Sequence, residues 1–139
     1  GTTIAFPRVV AQIAEDMKTV ADRLAASNVG AVTQTIEQEI VSTLEQLLEA
    51  VKQMQQENEQ QNSQPKSGEQ EEPSLLPKSA ELKLLRASQE RINNRTGTIE
   101  SSLAEGAEPP SAARSGLKKL AARQAECLDI AREMRDRLP

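Results

Sequence analysis

The side chains best equipped for chemistry in this chain are carboxylates at helical spacing: Glu15 and Asp16, then Glu37, Glu39, Glu45 and Glu49. Facing carboxylates inside a helical bundle can hold two metal ions, but the usual ligand set adds Glu-x-x-His pairs. The 139 residues contain no histidine. That removes the commonest metal ligand and the usual proton shuttle near neutral pH, so the carboxylates read as solvated helix faces and neither metal nor cofactor is expected. Cys127 is the one cysteine, which excludes an intramolecular disulfide and any CxxC site. With no imidazole to activate it, it reads as a buried structural thiol rather than a nucleophile. A Gly-x-Ser-x-Gly elbow and a Gly-rich phosphate loop are both absent from the sequence. An enzyme with a small-molecule substrate is therefore not the expectation.

Basic side chains offer the second chemistry. Lys78, Lys83, Arg86, Arg91 and Arg95 lie in one segment, and Lys118, Lys119 and Arg123 in the next. Phosphate contact by such a patch would be salt-sensitive. Its lack of aromatic side chains leaves nothing for bases to stack on, and Glu81, Glu90 and Glu100 interrupt it. Nucleic acid is accordingly the alternative reading, and a protein partner or self-association the leading one. The residues expected to carry it are Arg86, Arg91, Asn94, Arg95, Lys118 and Arg123. Charge is also divided along the chain. Residues 1–77 hold 5 Lys/Arg against 12 Asp/Glu, a balance of −7, while residues 78–139 hold 12 against 9, a balance of +3. Opposite signs favour docking of the two halves on each other.

The elements that must position these groups are helices. With one Phe and no Trp or Tyr, the core must be aliphatic, and the abundance of Gln, Glu, Ala, Leu and Arg favours helix over strand. The first helix opens near Pro7, a residue tolerated in a first turn. Its apolar stripe is Phe6, Val10, Ile13, Met17, Val20 and Leu24. "SNVG" (27–30) ends it, with Asn28 or Gly30 available for a left-handed cap. A second stripe follows at Ile36, Ile40, Leu44, Leu47, Val51 and Met54. The two mirror each other about Gly30: Leu24 with Ile36, Val20 with Ile40, Ile13 with Leu47, Phe6 with Met54. An antiparallel hairpin produces that symmetry.

Residues 55–77 then read as a long polar linker, since 55–74 lack any aliphatic side chain or alanine and have nothing to bury; the Gln/Glu-rich start can extend the second helix by a turn or two. A third helix begins near Ser79, a candidate N-cap, and carries Leu82, Leu85, Ile92, Ile99 and Leu103 as far as Gly106. The fourth, with Ser111 as candidate cap, shows Leu117, Leu120, Gln124, Cys127, Ala131, Met134 and Leu138. Here the mirror pairs Ile99 with Leu117, Thr96 with Leu120, and Ile92 with Gln124. Gln89, Thr96 and Gln124 interrupt the seam and suit register-setting positions, with Gln89 expected near Cys127, and Arg91, Asn94 and Arg95 expected to point away. The fold expected is all-α: a single domain (1–139) in which hairpins 6–54 and 78–138 form an up-down-up-down four-helix bundle.

No stretch approaches the roughly 20 apolar residues that span a bilayer, so membrane insertion by this segment is not expected. Gly1 reads as a residue left by tag removal, in which case the natural N-terminus, with any signal peptide or anchor, would lie upstream. In "TQTIEQEI" (33–40) and "AELKLLRASQERINNRT" (80–96), set around a Gln-rich linker, the chain resembles an uncharacterised family of helical, envelope-exported proteins of the planctomycete type. The resemblance implies a periplasmic or envelope location and carries no catalytic residue with it.

Overall fold

A computed structural model describes residues 3–62 and 76–137. Four helices account for nearly all of them: α1 (Ala5–Ala25), α2 (Ala31–Asn62), α3 (Lys78–Ala104) and α4 (Pro110–Asp136), with no strand among the described residues. The first eight residues of the expected linker continue α2 to Asn62, and residues 63–75 lie outside the described residues, as does Leu138. Leu76, also read as linker, is instead buried in the core.

Two apolar clusters fix the topology. One joins Ile4, Ala5, Val9 and Ile13 at the start of α1 to Leu47 and Ala50 late in α2, Ala80 and Leu84 early in α3, and Ile130 late in α4. The other joins Val32 and Ile36 early in α2 to Ile92 and Ile99 later in α3, and to Ala113, Leu120 and Cys127 of α4. Helix direction must therefore alternate, giving the up-down-up-down bundle. Fully buried aliphatics such as Val9, Ile99 and Ile130 contribute about 1.5–3 kcal/mol each. The backbones of α1 and α3 approach each other across the bundle. By contrast α1 and α4 are bridged by long side chains, among them Arg8 to Glu133 at 3.4 Å and Lys119 to Thr19 at 3.3 Å.

Helix ends differ from the sequence expectation in instructive ways. Both hairpin turns are Schellman ends, in which two amides past the helix close onto its last carbonyls. At the first, Asn28 N donates to Arg23 O and Ser27 N to Leu24 O. The left-handed residue is Ser27 at φ 60°, rather than Asn28 or Gly30. At the second, Gly106 takes φ 72° as expected, with Ala107 N donating to Ser102 O. Neither Ser79 nor Ser111 caps a helix. Pro77 and Pro109 hold those N-cap positions, and Pro110 occupies the first turn of α4, where a missing N–H costs nothing. The start of α1 is capped from another helix: Glu81 Oε1 accepts from Ile4 N at 2.5 Å and Ala5 N at 3.2 Å. A carboxylate there also complements the helix dipole. Gly116 lies inside α4, where an added Cβ would stand 3.0 Å from Ile99 Cδ1, so its small size lets α4 approach α3.

Candidate functional site

Between the two apolar clusters the bundle carries a charged layer to which each helix contributes one residue: Asp16 from α1, Glu39 from α2, Arg95 from α3 and Arg123 from α4. All four are buried. Arg95 Nη1 and Nη2 each donate to Asp16 at 3.0 Å, and its Nε donates to Glu39 Oε2 at 2.9 Å; a further short bond joins Nη2 to the same Glu39 oxygen. Arg123 grips Asp16 from the other side at 2.6 and 3.1 Å and reaches Gln12 O at 3.2 Å. Two carboxylates meet two guanidiniums, so the layer is neutral in sum. Bidentate pairing of this kind is the strongest that side chains make.

Burial would push the Asp16 carboxyl up, but the hydrogen bonds and charges of Arg95 and Arg123 outweigh it and hold it below the usual carboxylate range. Burial likewise opposes the charge on Arg95, and Asp16 and Glu39 more than compensate, raising its pKa further. Arg91 sits at the edge of the layer, half-buried, donating to Ser88 Oγ at 2.8 Å and Gln46 Oε1 at 3.2 Å; desolvation lowers its pKa. Three atoms of the layer, Gln12 Nε2, Glu39 Oε1 and Arg123 Nε, make no hydrogen bond among the described residues.

This layer corrects several expectations. Asp16 and Glu39 are not on solvated faces. Arg95 does not point away from the seam, and neither Arg95 nor Arg123 is available to a partner. The six residues proposed as one surface are therefore divided: Arg86, Asn94 and Lys118 are exposed, Arg91 is half-buried, and Arg95 and Arg123 are internal. Arg86 turns along its own helix to Glu90 at 3.0 Å. Gln89 meets Gln124, not Cys127, through reciprocal amide bonds of 2.7 and 2.6 Å on the rim of α3 and α4. Cys127 is buried and free as expected, and burial, with Glu126 nearby, pushes its thiol pKa up.

A cleft of about 580 Å³ opens beside the layer where α1 and α4 stand apart. Asp16, Asp22 and Glu108 line it with Arg23, Arg95 and Lys119, three acids against three bases. Arg23 donates to both Glu108 oxygens at 2.9 and 2.7 Å and to Thr33 Oγ1 at 2.8 Å, tying the two hairpin turns together. The cleft thus offers no surplus charge to a ligand. Among the described residues no three carboxylate or thiol groups are placed to hold a metal ion, and no helix is long and apolar enough to cross a membrane.

The other unusual feature is on the outside. Val10, Met17 and Leu24 of α1 are 45–47% exposed, and Val41, Leu44 and Leu48 of α2 are 45–57% exposed. The α1 residues recur every seven positions and the α2 residues every three or four, so each set forms one edge of its helix. In the antiparallel hairpin the two edges border the same groove, with Val20, Ile40 and Val51 half-buried at its base. Val10, Met17, Leu24 and Leu44 are the residues expected in the core, and their place inside is taken by Val9, Asp16 and Thr43.

Comparison with protein-family models, curated proteins and solved structures returned no match.

Proposed function

We propose that this chain is a non-enzymatic helical interaction module, a scaffold or assembly domain whose working surface is the outer groove of α1 and α2. The observation that carries the reading is the exposed row Val10, Met17 and Leu24 facing Val41, Leu44 and Leu48. Six large apolar side chains on one side of a small bundle make the kind of contiguous patch that marks protein–protein contact. The charged layer supports the same reading, because it commits two acids and two guanidiniums to pairing inside the bundle. Within this proposal the module is part of a larger exported or envelope-associated protein, a reading supported by the resemblance noted for residues 33–40 and 80–96.

Met17→Glu tests the working surface. Its site is half exposed, so the variant should keep the thermal transition while losing association measured by crosslinking and sedimentation. A parent chain that stays monomeric and crosslinks to no partner would overturn the reading. The phosphate-binding alternative would rest on the exposed cations of the patch, Lys78, Lys83, Arg86, Lys118 and Lys119, and its signature would be nucleic-acid affinity at about 50 mM salt that collapses by about 200 mM.

A further inference from the structure

Resting on the reading of the α1–α2 groove as an interaction surface, we infer that its partner is a second copy of this chain, packed about a two-fold axis that runs parallel to the helices. Neighbouring side chains on the outer faces of α1 and α2 differ in size. Outward of Val10, Met17 and Leu24, one step further round α1, come Ala14, Ala21 and Ala25, all exposed, and then Lys18. Outward of Leu44 on α2 come Leu48 and Val41, and then Glu45. One helix therefore presents a small surface to the outside and the other a large one. A two-fold axis along the bundle lays α1 of one copy over α2 of the other, small against large.

Such an axis preserves height, so the mirror about Gly30 that sets the hairpin also sets the dimer. The partner's Leu48 stands level with Gln12 and drops between Ala11 and Ala14. The partner's Val41 stands level with Thr19 and drops between Lys18 and Ala21. On the outer rim the partner's Glu45 stands level with Glu15, about one helical turn or roughly 4.5 Å along the axis from Lys18. Lys18 and Glu45 are both exposed and have no ion-pair partner among the described residues, and symmetry makes the pair twice. Lys18 and Lys52 against Glu37 and Glu45 leave the bordering charge balanced, although residues 1–77 as a whole stand at −7. A balanced, self-matching face fits another copy better than a strongly basic partner or an anionic lipid surface. Isologous pairing is the commonest closed arrangement of identical chains.

Sedimentation velocity over a concentration series, on the complete chain, tests this with a charge swap. The wild type should dimerise. Lys18→Glu and Glu45→Lys should each weaken the dimer about tenfold by placing like charges on both rims, and the double variant K18E/E45K should return to within about threefold of wild type. Unchanged circular-dichroism spectra for all three, recorded at about 25 °C, would assign the effect to the interface and not to loss of the fold. A wild-type chain that is monomeric throughout, a dimer indifferent to the single reversals, or a double variant no better than either single one would overturn the inference. If the wild type is monomeric and yet Met17→Glu abolishes crosslinking to another protein, the two-fold dimer falls while the interaction-module reading stands.

Discussion

Asp16 accepts hydrogen bonds from two guanidiniums at the centre of the bundle, and this sets how acid acts on the protein. Its folded pKa lies below the ordinary carboxylate value, so the folded chain binds that proton less readily than the unfolded one. The stabilisation is therefore complete above about pH 4 and is lost as pH falls through the depressed folded value. Arg95, raised rather than lowered, stays charged through the whole workable range and adds no pH dependence there. Removing one partner of a buried ion network leaves the others unpaired and costs about 3–5 kcal/mol. Asp16→Asn should lower stability by that order in urea melts at pH 7 and flatten the stability profile below about pH 4. Arg95→Met should be comparably damaging, since it strands Glu39 and leaves Asp16 to Arg123 alone, whereas Arg86→Met, at an exposed pair with Glu90, should change stability by less than about 1 kcal/mol.

At the scale of the helix, the sequence carried the number, direction and mirror symmetry of the elements, and misplaced the face that turns inward. In the middle of each helix the inward position is one residue away from the apolar or uncharged residue that the stripe had taken: Asp16 beside Met17, Thr43 beside Leu44, Arg95 beside Thr96, Arg123 beside Gln124. A search for apolar or uncharged seams takes the wrong member of each pair, because burial of a charge is favoured only when a partner from another helix neutralises it. The spacing Ser88, Ile92, Arg95, Ile99, Ser102 was available as a stripe, but nothing within α3 alone marks Arg95 as internal. Glu81 was legible as an acid interrupting the basic segment and not as the cap of α1, for the same reason. Local backbone features make sharper element-level predictions. Gly97 lies in the interior of α3 with nothing within 4 Å of an added Cβ, while Gly116 meets Ile99 at 3.0 Å. Gly97→Ala should stabilise by about 0.5–1 kcal/mol, and Gly116→Ala should gain less or lose. Ser27, held left-handed, should gain about 1 kcal/mol on replacement by glycine. Thermal unfolding of the three variants side by side checks the ordering.

The whole molecule is two hairpins of opposite charge, and the structure gives that asymmetry a place. Both acids of the layer come from α1 and α2, and both guanidiniums from α3 and α4. This was legible only as a balance of −7 against +3, which pointed to docking of the halves without naming the residues that dock. Their arrangement makes the inner faces selective. A first hairpin packed on a copy of itself through that face would bring four carboxylates together with no cation, and a second hairpin would gather four guanidiniums. Like charges confined out of water are strongly unfavourable, so the layer excludes both errors and admits the native pairing. Residues 1–62 and 76–139, produced as separate chains and mixed, should therefore associate one to one through their inner faces, with helicity rising on mixing. Replacing Asp16, Glu39, Arg95 and Arg123 together by leucine or methionine should keep or raise the stability of the intact chain, because apolar packing often matches a buried ion network. The same fourfold replacement should let each separate hairpin self-associate through the inner face. Sedimentation equilibrium of the separate and mixed hairpins, native and replaced, reads both effects. Equal self-association of the native and replaced hairpins would show that the layer contributes stability without selecting the partner.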